Sequence, residues 1–460
     1  MFILESFKQR FYKIMREKMQ PKQLCFCYKV FTVFGKHFED RCKLIFSRIE
    51  RFFTEIVEST SFVELDYELV KRILSSQQLF LTSELEVLNA ADTWVKHDIK
   101  ARSMNALELL QTVRLPLLSV NVLQSVLSGS SFFCEDADSV SFIKEILDKK
   151  KLKDTFSSNV EHRYCAHEKF SLLVFTKDES SNYTMSRNAD GKKEFTITAL
   201  PLLESNNRYW YSGVYIRGEV YVLGGLTDDY NAVMAVEKYS PLTKKWSRVT
   251  TMYNERFDFD ICAFMNEIFL VGGTTDGKNP IKDPSTFLLP SSLVFNPANC
   301  TWKEVACLNT PRGSCSCCVF EGKIVVSGGM INFDCTLTVE SYDHTSDTWT
   351  FMPNMLGERN GHTSTAIRNK LFLIGGNWEK CEVFDSHSNR FTYLKSPAKL
   401  FDSKDCEIAT ASIANKIVFI SHESILEDYF DVEKNEWVQH SGCELDYEAM
   451  ELSCVKVPQL

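Results

Sequence analysis

The chain has 460 residues, 44% of them hydrophobic and 25% charged, enough apolar material for two or three cored domains. Its net charge of −9 argues against nucleic acid as the main partner, and its apolar runs stop short of the roughly 20 residues a membrane-spanning helix needs. The start, Met1-Phe-Ile-Leu-Glu5, turns charged before a signal-peptide core forms, so a cytoplasmic chain (nuclear or cytoskeleton-associated as alternatives) with 16 reduced cysteines is expected.

In residues 2–19, Ile3, Phe7, Phe11, Ile14 and Met15 recur at helical spacing among Lys8, Arg10, Lys13, Arg16 and Lys18. The basic amphipathic segment 1–18 is expected to dock on the helical region that follows; a membrane-surface anchor or a presequence is the alternative, and Glu5 and Glu17 count against a presequence. The charge is uneven: residues 1–50 hold 11 Lys/Arg against 5 Asp/Glu, which leaves −15 for the rest.

Residues 19–150 read as short helices with short connections. Asp66 is placed to cap a helix through Leu69, Ile73 and Leu74. Ser83-Glu-Leu-Glu86 has the form of a capping box, opening a helix that buries Val87, Leu88, Ala91, Trp94 and Val95. Pro116 ends one helix or starts the next. Residues 151–167 are a predicted linker.

From residue 168 onward a unit repeats. Glycine pairs stand at Gly224-Gly225, Gly272-Gly273, Gly328-Gly329 and Gly375-Gly376, and an arginine precedes each by 16 positions: Arg208, Arg256, Arg312 and Arg359. Aromatic pairs 7 apart follow: Tyr239 and Trp246, Phe295 and Trp302, Tyr342 and Trp349, Phe384 and Phe391. A worn copy has Lys404, Ile420-Ser421, Phe430 and Trp437. Such a unit cannot bury both faces of its sheet alone, so stacked blades are expected. Phe170 to Ala199 looks like a further blade without its first strand, and 449–457 is a spare strand that could complete it.

Trp94-Val-Lys-His-Asp98, Arg102 and Val113-Arg-Leu-Pro-Leu-Leu118 closely resemble the BACK domain of BTB–BACK–kelch proteins, and Met19-Gln-Pro-Lys-Gln-Leu-Cys25 with Phe34 and Phe38 resembles the helical pair that begins it. With the repeats, the resemblance covers residues 19–457 and is to the kelch-like family of cullin-3 ubiquitin-ligase substrate adaptors. It implies a multidomain α plus all-β chain: a BACK-like helical domain (19–150) and a six-bladed kelch β-propeller (168–460), with 449–457 as the innermost strand of blade one. Only 18 residues precede Met19, and they do not supply a BTB fold, which the family uses to dimerise and to contact cullin. The chain is therefore expected to lack that domain.

No P-loop, nucleophile elbow or dinucleotide fingerprint is found, and the nine histidines are scattered, so no catalytic residue, metal or cofactor is expected. His362, beside Arg359, reads as a packed, hydrogen-bonded side chain. Cys315 and Cys317 read as core fillers on one strand face, with redox sensing through Cys315, Cys317 or Cys318 as the alternative.

Binding is expected on the connecting loops. In the kelch-like family, contacts cluster just after each repeat arginine and each glycine pair. Carried onto this chain, the first set is Tyr209, Phe257, Gly313 and Asn360. The second is Leu226, Thr274, Met330 and Asn377, with Asp228, Tyr230, Asn332, Phe333 and Trp378 beyond. Asp228, Asp229, Asp258 and Asp334 hint at an acidic rim and a basic ligand. The long loop from Thr274 to Ser292 is a candidate recognition element. The expected function is a non-enzymatic adaptor that recruits a protein to a cullin-3 RING ligase, with the N-terminal helical pair as the expected hold on cullin-3. Alternatives are an actin-binding kelch protein or a BTB-less truncated form that sequesters substrate.

Overall fold

The computed structural model describes residues 21–33, 39–79, 81, 84–118, 120–129, 131–152, 170–176, 183–187, 195–199, 208–227, 229, 231–241, 243–275, 288–332, 334–367, 369–377, 380–394, 408–413, 416–421, 429–432, 434–438 and 452–458. The chain divides into two compact units, residues 1–168 and 169–459. The amphipathic segment 1–18, Ser83 of the expected capping box and most of the linker lie outside the described residues.

The first unit is helical. Its longer helices are Pro21–Val33, Glu39–Arg51, Tyr67–Ser75, Glu84–His97, Val120–Ser128 and Ala137–Leu152. The last of these carries helix two residues past the expected domain end at 150. Asp66 caps Tyr67–Ser75 as its position suggests: its Oδ1 accepts the Leu69 amide at 2.9 Å, which satisfies a first-turn N–H that has no partner within the helix. That helix buries Leu69, Val70, Ile73 and Leu74, and Glu84–His97 buries Val87, Leu88, Ala90, Ala91, Trp94 and Val95. Pro116 sits in a single 3-10 turn, Leu115–Leu117, where its missing N–H leaves no bond unmade.

Arg102 shows why a tryptophan and an arginine eight apart matter here. Its guanidinium donates to the carbonyls of Trp94 (2.7 Å) and Val63 (2.8 Å) and lies 4.1 Å from the Trp94 ring centroid. The indole N–H in turn donates to Leu65 O at 3.0 Å. One cation thus ties two helices and the turn between Val63 and Leu65. Arg102→Ala is expected to lower the stability of this unit by about 3 kcal/mol, from two charge-assisted hydrogen bonds and a cation–π contact. The urea midpoint of the helical signal checks it, and an unshifted midpoint would make the cluster incidental.

The second unit is a β-propeller. Five four-stranded antiparallel sheets follow one another along the chain, and a further sheet joins the start of the unit to its end. In that joining sheet, Leu452–Pro458 pairs antiparallel with Phe170–Thr176, with Ser171 opposite Val457 and Val174 opposite Cys454, and Tyr183–Arg187 and Phe195–Ala199 lie outside. The first strands of the five consecutive sheets are Ser212–Ile216, Asp260–Phe264, Ser316–Phe320, His362–Ile367 and Ile408–Ile413. With Leu452–Pro458 they stand side by side in a closed circuit. Closure removes exposed inner edges, which an open stack of blades would offer to other chains.

The aromatic pairs are cross-strand neighbours on the third and fourth strands: Tyr239 opposite Trp246, Phe295 opposite Trp302, Tyr342 opposite Trp349, Phe384 opposite Phe391 and Phe430 opposite Trp437. Their ring centroids lie 4.9–5.2 Å apart. The spacing of 7 is set by a four-residue turn whose last residue is left-handed: Lys244, Cys300, Asp347, Asn389 and Asn435 all have φ of 50–56°. In the turn after Asp343, the Asp347 carboxylate accepts Tyr342 Oη and the amide of Ala306, which belongs to the preceding sheet's end. The turn therefore shapes its own hairpin and fastens it to the neighbouring blade.

Candidate functional site

The four repeat arginines are buried, and each donates through Nη1 to the carbonyl of the first glycine of its pair, at 3.0 Å for Arg208 and Arg256, 2.9 Å for Arg312 and 3.5 Å for Arg359. Three of them also meet a buried carboxylate that stands two residues before the aromatic of the third strand. Arg208 pairs with Glu237, Arg312 with Glu340 at 2.6 Å, and Arg359 with Glu382 at 2.6 Å. Glu340 also accepts the amides of Asn309 and Thr310, and Glu382 those of Leu356 and Gly357. The acid thus anchors the segment that crosses from one sheet to the next. In the third-strand position of the Arg256 sheet, leucine replaces the acid at Leu293. Arg256 turns instead to Ser291 O at 2.8 Å and Ser291 Oγ at 2.6 Å, and burial pushes its guanidinium down to about 10.

On this base sits a rim of paired loops. The residue after each arginine lies across from the residue after each glycine pair: Tyr209 with Leu226, Phe257 with Thr274, Gly313 with Met330. In the next sheet the Asn360 amide donates to Asn377 Oδ1 at 2.9 Å, and Asn377 N to Asn360 O at 3.3 Å. The two candidate sets from the sequence are therefore partners, position by position. Their side chains do not all face solvent. Leu226 (1% exposed) and Phe257 (7%) pack together in a small apolar cluster, and Gly313 is buried. Pairing alternates the side chains, and those turned inward seal the loop base. Thr274, Met330 and Asn360 are half-buried, and Asn332 and Asn377 are exposed. Met330–Ile331 forms a small ribbon with Asp334–Cys335, with Asn332 left-handed at its tip (φ 51°). Asn377 Nδ2 lies 3.1 Å from Cys335 Sγ, so the rims of two blades are in contact. Asp228, Tyr230, Phe333, Trp378 and the Tyr209 side chain lie outside the described residues. So does most of the long loop, whose two ends are held where Thr274 bridges Leu288 and Leu289 N donates to Gly273 O.

Of the next position along, the sequence reading singled out only Asp258. Two residues after each arginine stand Trp210, Asp258, Ser314 and Gly361, with φ of 53°, 56°, 48° and 60°. The left-handed turn aims their peptide groups sideways. Asp258 N donates to Trp210 O, Ser314 N to Asp258 O and Gly361 N to Ser314 O, at 3.0–3.3 Å. These bonds link four blades just before their innermost strands begin. A shared spacing from the arginines was the only available signal, because the side chains have nothing in common. Trp210 is 42% exposed and stacks on Phe257 at 5.9 Å. Burial raises the Asp258 carboxyl to about 6, against two hydrogen bonds from Ser314 that lower it.

Other candidates resolve into packing. His362 is buried with its Nε2 2.8 Å from Ser327 Oγ, and burial, then the Arg359 and Arg312 charges, hold it well below the usual imidazole range. Cys315 and Cys317 are buried in one inter-sheet core. Burial pushes the Cys315 and Cys318 thiols up to about 12. Cys317 is raised first by its hydrogen bond with Cys262 and then by burial. Thiolate chemistry at neutral pH is thereby disfavoured, which counts against the redox alternative. Among the described residues no group of three or more His, Cys, Asp or Glu could hold a metal, and no helix is long and apolar enough to cross a membrane.

Two family profiles match the chain. BTB And C-terminal Kelch (BACK) matches residues 38–128, and the KLHDC2/KLHL20/DRC7 Kelch-repeats domain matches residues 194–376. Similar proteins include kelch-like protein 25 of Xenopus tropicalis, 23% identical over 350 residues that cover 74% of this chain and 59% of the relative. Kelch-like protein 35 of Mus musculus is 22% identical over 373 residues, covering 76% and 59%. Kelch repeat and BTB domain-containing protein 12 of Homo sapiens is 22% identical over 404 residues, covering 70% and 64%. The chain thus spans about six-tenths of the length of these relatives.

Proposed function

From a chain that joins a BACK domain to kelch repeats and has kelch-like homologues, we propose a non-enzymatic adaptor that captures a protein on a six-bladed propeller and delivers it to a cullin-3 RING ubiquitin ligase. The observation that carries this reading is the rim: loop pairs repeated in four consecutive sheets and fastened to one another through backbone bonds. A platform so braced holds side chains in place before a partner arrives, which lowers the ordering cost of binding. Exposed Trp210, Asn332 and Asn377 then differ from blade to blade, as recognition requires. The helical unit supplies the connection to the ligase. Because the chain spans only part of its relatives, capture of cullin-3 by this chain is the deciding measurement. The expected result is retention of cullin-3 by the immobilised full chain, alongside a BTB-bearing relative as control. Retention by the relative alone would remove the ligase step and leave a protein that binds and sequesters its partner.

A further inference from the structure

The chain enters Arg256, Arg312 and Arg359 through the same kind of bend, and one of the three bends is not tied down. Four residues before these arginines, the amides of Met252, Leu308 and Met355 donate back to the sheet just left, to Met234 O (2.7 Å), Pro290 O (2.8 Å) and Leu337 O (2.9 Å). The next two amides differ. Asn309 and Thr310 donate to Glu340 (2.8 and 3.1 Å), and Leu356 and Gly357 donate to Glu382 (2.7 and 3.1 Å). For Tyr253 and Asn254 the acid is replaced by Leu293, which accepts nothing. Among the described residues their amides have no hydrogen-bond partner, and Asn254 Oδ1 is buried without one.

Both ends of this bend are firm. Thr251 O accepts the Trp302 indole N–H at 3.0 Å, and Met252 is buried. On the far side Arg256 is fully buried, and Phe257 pairs with Thr274. Residues 253–255 therefore span two fixed points with no polar contact of their own. A segment opens at low cost when few bonds must break, and here none breaks. Its side chains are also the ones set outward: Tyr253, at 61%, is the most exposed large apolar residue described in the propeller, and Glu255 is exposed.

We propose that residues 253–255 form an adjustable strap at the propeller rim, which closes Tyr253 against a captured protein while the corresponding bends at 309–311 and 356–358 stay fixed. The use of the motion rests on the reading of the rim as a protein-binding surface; the motion itself does not. The missing acid is its cause, because the two buried carboxylates hold the other bends by the donors that are left unused here.

Hydrogen exchange on the full chain tests the motion. Corrected for intrinsic rates, the amides of Tyr253 and Asn254 are expected to exchange about 100-fold faster than those of Asn309, Thr310, Leu356 and Gly357. Equal protection overturns the inference. Leu293 lies opposite Glu304 as Glu340 lies opposite Phe351, so Leu293→Glu with Glu304→Phe rebuilds the tethered arrangement. In that variant the two amides are expected to slow about 10-fold or more; unchanged exchange in the folded variant overturns the cause. If it does not fold, the converse decides: Glu382→Leu is expected to speed Leu356 and Gly357 and to leave Asn309 and Thr310 as they are, and no change at Leu356 and Gly357 overturns the cause. The use is read with peptides selected on the full chain from a phage-displayed random library. Tyr253→Ala is expected to weaken them several-fold, and bound peptide to slow exchange at Asn254. Peptides indifferent on both counts overturn the contact. A folded chain that selects none overturns the rim reading and the contact with it, while the exchange comparison still decides the motion.

Discussion

Replacing Glu340 with alanine is expected to lower the propeller's unfolding free energy by about 3–5 kcal/mol, seen as a fall of several degrees in its thermal transition. The carboxylate is fully buried, and its loss removes the counter-charge of Arg312, whose Nη2 keeps only Thr338 Oγ1, and strands the amides of Asn309 and Thr310. The cost comes less from the lost attraction than from a buried cation left without its counter-charge. Replacing both residues, as Arg312→Met with Glu340→Leu, is therefore expected to cost less than Glu340→Ala alone. The Arg256 sheet shows how a blade manages without the acid: Leu293 fills the position and a serine supplies two oxygens. A transition that moves by less than a degree in Glu340→Ala would mean that the acid is a passenger.

Gly328→Ala is expected to be as damaging, by more than about 3 kcal/mol or by failure to accumulate as folded protein. The backbone at Gly328 has φ +56°, which costs an L residue about 1–2 kcal/mol. A Cβ would also stand 2.5 Å from Arg359 O and 2.7 Å from His362 Cε1, both on the next blade. Its neighbour Gly329 donates its amide to that same carbonyl at 2.8 Å, so the carbonyl cannot retreat without breaking an inter-blade bond. Gly361→Ala is the control. It has φ +60° but open space around its Cβ position, so it should show the backbone cost alone, about 1–2 kcal/mol. Equal melting temperatures for the two variants would show that close approach between blades is not why the glycines stand in pairs.

The candidate site was legible by position and not by exposure. The residues after the arginines and after the glycine pairs are the ones the fold brings together, because each pair lies at the start of one strand and the end of the next. Which of them face a partner was hidden, since Leu226 and Phe257 find one another only after two loops meet. The acids Glu237, Glu340 and Glu382 were visible two residues before an aromatic, but Leu293 interrupts the series and the ion pair spans 23–29 residues. Trp210 escaped notice because its counterparts Asp258, Ser314 and Gly361 share a backbone conformation and no side-chain chemistry.

By itself the sequence determined whatever short-range sterics decide. It specified the helical region with Asp66 as a cap, the hairpin that sets aromatics 7 apart, and the glycines where another backbone comes close. Only the tertiary structure decided the rest. Pairing Leu452–Pro458 with Phe170–Thr176 closes the circuit of inner strands. The carbonyl that excludes a side chain at Gly328 belongs to the next blade, and the hydroxyl that meets Asp258 comes from the next repeat. Those contacts join residues about 30 to 290 positions apart. Burial, charge compensation and access arise at such contacts, and local spacing carries no record of them.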